Sequence, residues 1–165
     1  MKIQRILRHL LLTGRQLKRA FPRATLTRIE RAIQASESTH LGEIRFAVEG
    51  ALDGWPLFNG QSARDRAIDL FSQLRVWDTQ HNTGLLIYVL LADRAVEIVA
   101  DRGIHAKVGS EGWSSICRQM ESAFRQSNFE SGVVDGVHAI TQHLVTHFPV
   151  GAGNANELPD GAVVI

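Results

Sequence analysis

At 165 residues, with 44% hydrophobic and 21% charged residues, the chain is sized for one globular domain with short appendages. The single Cys117 excludes an internal disulfide framework, so the fold does not depend on an oxidising compartment. No apolar run approaches the roughly 20 residues of a membrane span. The net charge of +1 hides an asymmetry. Residues 1–23 carry seven basic residues and no acidic one, while the remainder carries 11 basic residues against all 17 acidic ones.

Met1 to Arg19 reads as a basic amphipathic helix, with Ile3, Ile6, Leu7, Leu10 and Leu11 forming one stripe. Two placements suit it: a helix packed on the domain, or one lying on anionic lipid or a membrane-protein partner. Arg8 and His9 break the apolar block that a secretory signal requires. No aromatic residues interleave the basic ones and the body is acidic, so nucleic acid is not an expected partner. Phe21-Pro22 ends this arm.

Thr27 to Glu30 fits a capping box, which predicts a helix from Arg28 to about Ser38. Glu43 to Glu49 alternates with period two and predicts a strand. Gly50 to Gln61 is a loop whose Trp55, Leu57 and Phe58 are expected to lid the core. Ser62 to Asp65 opens a second capped helix, running to about Arg75. Leu85 to Leu91 is apolar on both faces and predicts an interior strand. Ala92-Asp93-Arg94 is a tight turn, expected to hold a local ion pair, before a returning strand, Ala95 to Ala100. Gly112 to Arg125 reads as a helix, as does the segment from about Val133 to His147. Gly151 to Ile165 has no periodicity and reads as a mostly disordered tail. The expected domains are therefore an arm over 1–23, a folded body over 24–149 and a tail over 150–165.

The hairpin sorts the polar residues. Asp93 and Arg94 lie at one end of the strand pair, whereas Asp78 to Thr83 and Asp101 to His105 lie at the other. Asp78, Asn82 and Asp101, with Glu43 at the start of the first strand, are the candidate oxygen ligands for Ca²⁺ or Mg²⁺. Such a cation with Arg102 could hold a phosphate, which makes Asp78, Asp101 and Arg102 the candidate catalytic residues. His143 and His147 have a zinc-compatible spacing without further ligands. Cys117 falls on an apolar helix face and reads as a packed side chain. No nucleotide-binding glycine motif and no GxSxG elbow is present.

GEIRFAVE, then RDRAIDLFSQLRVWDTQHNTGLLIYVLLADRAVEIVADRGI, then QHLVTHFP carry a likeness over residues about 24 to 149. In these stretches the chain resembles the TPM domain family, in a short bacterial branch with a basic N-terminal arm. The resemblance implies an α/β/α sandwich with a small mixed sheet. It also implies acid phosphatase activity or calcium binding at loops at one end of that sheet, as in some members. Where the family carries Asp-Asn-Gly, this chain reads Asn82-Thr83-Gly84. Where the family carries Gly-Tyr-Gly, it reads Asp101-Arg102-Gly103. The expected protein is an interaction or regulatory module in the cytoplasm, touching the inner membrane through residues 1–19. The alternative is a cation-assisted phosphatase.

Overall fold

The computed structural model describes residues 2–151 and 156–165. Its elements are α1 (Lys2–Leu11), α2 (Gly14–Ala20), α3 (Arg23–Glu37), β1 (Glu43–Glu49), α4 (Gly54–Phe58), α5 (Ala63–Gln73), β2 (Gly84–Leu90), β3 (Ala95–Ala100), α6 (Arg102–Arg125), α7 (Phe129–His147) and β4 (Val163–Val164). The strands form one open mixed sheet in the order β3-β2-β1-β4. β1 runs parallel to β2 and β4, and β2 and β3 form the expected antiparallel hairpin.

The sheet is buried on both faces because helices lie on each side. Ile44, Phe46 and Val48 join Ile87, Ile98 and the apolar stripes of α3, α6 and α7 in one core. Ala47, Leu86, Tyr88 and Val99 pack on α5 in the other. This is the α/β/α sandwich with a small mixed sheet. On the α5 face, Arg66 holds Glu49 through two nitrogens at 2.8 and 3.1 Å, and the Tyr88 hydroxyl donates to Glu49 at 2.7 Å. The buried carboxylate is thus fully paired at the hairpin end of β1.

Several elements differ from the sequence reading. The arm is two helices, broken where Thr13 forms a capping box with Gln16. α3 begins at Arg23, behind Pro22, so Thr27 lies inside the helix and its capping box does not form. Glu30 instead accepts from the Ala162 N–H at 2.9 Å. α6 begins ten residues earlier than its apolar stripe suggests, with a break at Gly109, whose φ is 75°. Of the three aromatic and aliphatic residues expected to lid the core, only Leu57 is buried; Trp55 and Phe58 are exposed.

The boundaries around the folded body also change. Leu17 and Phe21 of the arm belong to the main core. The C-terminal segment, expected to be disordered, closes the free edge of β1: Ile165 donates to the Val48 carbonyl at 2.9 Å and Gly50 donates to the Ile165 carbonyl at 3.0 Å. An exposed apolar edge on β1 would otherwise template pairing with other chains, and this short strand caps it. Residues 152–155 of the expected tail lie outside the described residues.

Candidate functional site

The end of the sheet at which β2 begins is fixed by close backbone approaches at Gly84, against Val76, and at Gly103. A Cβ at Gly103 would stand 2.5 Å from the Asn82 carbonyl oxygen, so the loop before β2 lies directly on the first turn of α6. Asn82 itself adopts a left-handed φ of 54°, which asparagine tolerates. Here Arg102 donates to Asn82 Oδ1 at 3.3 Å, and Asp101 caps α6 by accepting from the Arg102 N–H at 2.7 Å. The other Asp101 carboxylate oxygen, Oδ2, is buried without a hydrogen-bond partner among the described residues.

Asn82, Asp101 and Arg102 therefore come together as expected, and the other two expected residues do not join them. Asp78 is exposed in the turn after α5. Glu43 is buried and turned to the C-terminal segment, where it accepts from the Leu158 N–H at 3.3 Å. No group of three His, Cys, Asp or Glu among the described residues is arranged to hold a metal ion. Of the four expected oxygen ligands, Asn82 and Asp101 thus share one loop cluster while Asp78 and Glu43 stand apart from it. His143 stacks edge-on against Trp113. Burial pushes the Cys117 thiol up to about 12, as suits a packed side chain rather than a nucleophile.

Glu43 belongs to a different cluster. Glu37 accepts from the Ile44 N–H at 2.7 Å, and Arg45 donates to the Pro159 carbonyl under the C-terminal segment. Burial pushes Glu37 up to about 8, with the Glu43 and Asp160 charges adding to it, and burial also raises Glu43. His40, buried behind Ser36, is lowered by burial to about 4. The two effects have opposite signs. Glu37 binds its proton more tightly when folded, so its contribution is full below about pH 4.5 and lost by about pH 8. His40 binds its proton less tightly when folded, so its contribution is full above about pH 6.5 and lost by about pH 4. The two windows overlap over about pH 4.5–6.5, where they offset each other, so stability should be nearly level there and fall above it as Glu37 loses its proton. Stability from urea unfolding should fall from pH 6 to pH 8 by roughly 1–2 kcal/mol, and Glu37→Gln should flatten that descent.

The opposite end of the sheet carries what the sequence reading missed. Asp93, in the β2–β3 turn, does not pair with Arg94. It receives Arg5 at 2.8 Å, Arg8 at 3.4 Å and the buried His9 Nε2 at 3.1 Å. His9 Nδ1 accepts from the Leu52 N–H at 2.9 Å, which places the ring proton on Nε2, facing Asp93. Arg5 also donates to the Gln61 carbonyl at 2.8 Å. α1 thus packs on the domain through its polar face.

Four of the five stripe residues of α1 are consequently turned outward, while Ile6 packs against the α5-side core. Ile3 is 74% exposed, Leu10 61% and Leu11 71%, with Leu7 half-exposed. α4, packed beside α1, adds Trp55 at 77% and Phe58 at 62%. Arg8, Arg15, Lys18 and Arg19 are exposed in the same arm, which has no acidic residue. The signal in the sequence was the charge asymmetry; the direction of the stripe had none. No helix among the described residues is long and apolar enough to cross a membrane.

Comparison with known proteins agrees with this fold. The solved structure of the BA42 protein from the psychrophilic bacterium Bizionia argentinensis is similar to the chain, with a TM-score of 0.76 and 30% identity over 86% of this chain and 93% of that one. The N-terminal domain of a P. gingivalis protein shares the fold, with a TM-score of 0.55 and 23% identity over 86% and 83%. No curated relative matches. The family model of the TPM domain matches residues 15–143, and the chain belongs to that family.

Proposed function

We propose that this protein is an interaction module that lies on an anionic membrane surface, the cytoplasmic face of the inner membrane, through α1 and α4. The observation that supports the reading is the outward apolar stripe Ile3, Leu7, Leu10 and Leu11 beside exposed Trp55 and Phe58, in an arm whose charges are all positive. A helix held by its polar face leaves its apolar face to the surroundings. An interfacial helix buries such a face in the headgroup region while basic residues meet anionic lipid. Exposed large apolar residues in one region otherwise carry a solubility penalty that a free-standing domain avoids.

Vesicle flotation tests this. The full-length protein should float with vesicles containing phosphatidylglycerol and much less with purely zwitterionic ones. Leu7→Glu/Leu10→Glu, at exposed positions, should leave the urea midpoint unchanged and reduce flotation at least roughly tenfold, since each substitution removes apolar burial and adds a repelled charge. Equal flotation of the variant would remove the reading.

A second reading, phosphomonoester hydrolysis at Asn82, Asp101 and Arg102, is favoured by the unpartnered, buried Asp101 Oδ2 at the loop where the Arg102 guanidinium donates to Asn82. Asp101→Asn retains a good helix cap while removing the charge. On this reading p-nitrophenyl phosphate turnover, with Ca²⁺ or Mg²⁺ supplied, drops by at least roughly a hundredfold in the variant, the lower range for a positioned acid–base group. Unchanged turnover would exclude Asp101.

A further inference from the structure

A groove of about 740 Å³ opens between α2, the β2–β3 turn and the start of α7. Its walls are partly apolar, from Leu12, Ala20, Leu91 and Phe129, and its cations are Arg19 and Arg94. Neither guanidinium has an acceptor among the described residues. The one acid on the wall, Glu130, is already engaged: Thr25 donates to it at 2.7 Å and Arg28 at 2.6 Å. A second depression of about 510 Å³ continues the groove past Arg94, Ala92 and Leu91 to Leu11, at the edge of the outward stripe of α1.

The backbone around this groove is strained. Among the described residues four non-glycine residues have positive φ, and two of them, Arg94 at 51° and Ser127 at 62°, line it. A hairpin turn usually places Gly, Asn or Asp in such a conformation, because other side chains crowd the backbone there. Strain of this kind persists where the surroundings hold it, and it gathers at ligand sites. Here it sets a guanidinium at the rim of an apolar groove.

We propose that this groove binds an anionic amphiphile, a phosphate head between Arg19 and Arg94 with an acyl chain along Leu12, Leu91 and Leu11. Guanidinium groups suit phosphate because their planar N–H donors match its oxygens, and two of them select against a zwitterionic head. The inference goes beyond membrane docking and stands on the groove alone: a monomeric lipid can fill it without a bilayer.

The test is an amide NMR titration of the full-length protein with dihexanoyl phosphatidic acid below its micelle concentration. The expected shifts fall at Leu12, Gln16, Arg94 and Ser127 to Ser131. Arg19→Gln/Arg94→Gln should weaken binding at least tenfold. Arg94→Gly should weaken binding while raising the urea midpoint, because glycine relieves the left-handed strain; a merely structural arginine would not show that pair of effects. Inorganic phosphate and dihexanoyl phosphatidylcholine should each bind at least tenfold more weakly than the anionic lipid. Equal binding of inorganic phosphate, equal binding of the zwitterionic lipid, or unaltered affinity in the double variant would each overturn the proposal. Leu7→Glu/Leu10→Glu should bind the monomeric lipid like the native chain, which separates this result from failure of membrane docking.

Discussion

Gly84→Ala should prevent folding or cost more than about 4 kcal/mol, the range reserved for changes that a packed structure cannot absorb. A Cβ at this position would stand 1.8 Å from the Val76 carbonyl oxygen and 2.8 Å from its carbon. Both atoms are backbone, and neither neighbour can retreat. Val76 is fully buried, with its N–H bonded to the Phe71 carbonyl at 3.0 Å behind α5. Gly84 begins the strand that pairs β1 on one side and β3 on the other. Moving it would break two ladders. The control is Gly14→Ala, at the start of α2, where nothing lies within 4 Å of the added carbon. That change should be neutral or slightly stabilising, by up to about 1 kcal/mol from helix propensity. Soluble yield and urea midpoints compare the two; a Gly84→Ala protein that unfolds like the native chain would contradict the tight approach.

Asp93→Ala should detach α1 and cost roughly 1–3 kcal/mol, because it removes the shared acceptor of Arg5 and Arg8 in a part-buried ion pair. His9 is 3% exposed; its Nε2 lies 3.1 Å from Asp93 Oδ1 but makes no hydrogen bond among the described residues, so the loss falls on Arg5 and Arg8. Arg5 loses its partner at 2.8 Å and keeps only the Gln61 carbonyl. Asp93→Asn retains an acceptor oxygen and should cost less. Amide exchange locates the effect: α1 should lose protection first, while α6 and α7 keep theirs. Unchanged protection in α1 would show that its position does not depend on this latch.

The sheet was legible because its signals are local. Alternation in Glu43 to Glu49 marks a strand, although its polar face is buried too, by pairing with Arg66, Tyr88 and the C-terminal segment; the double-faced apolar run after Gly84 reports its burial directly, and a three-residue link forces a hairpin. The relation of Asn82 to Arg102 followed from that hairpin. What escaped was set by residues far apart in sequence. Periodicity in α1 finds a stripe and the usual inference turns it inward. Its polar face instead meets Asp93, 88 residues from Arg5, and nothing local to the helix marks that partner. Glu43 was placed by its position at a strand end, but the C-terminal segment that captures its side chain carries only a two-residue strand. The capping box at Thr27 was a sound local pattern; Pro22 started the helix a turn earlier and Glu30 was drawn to Ala162.

The orientation of α1 ties these observations together, since a latch on its polar face is what leaves its apolar face outward. Of the three tryptophans Trp55 reports that face, at 77% exposed; Trp113 is buried at 4%, and Trp77, 48% exposed, follows α5 at the opposite end of the sheet. Tryptophan emission of the full-length protein, measured with phosphatidylglycerol-containing vesicles whose acyl chains carry bromine near the headgroup, tests the orientation most directly. A blue shift and quenching are expected on vesicle addition, both lost in Trp55→Phe. Emission that is unshifted and unquenched, or quenching that survives Trp55→Phe, would contradict that orientation.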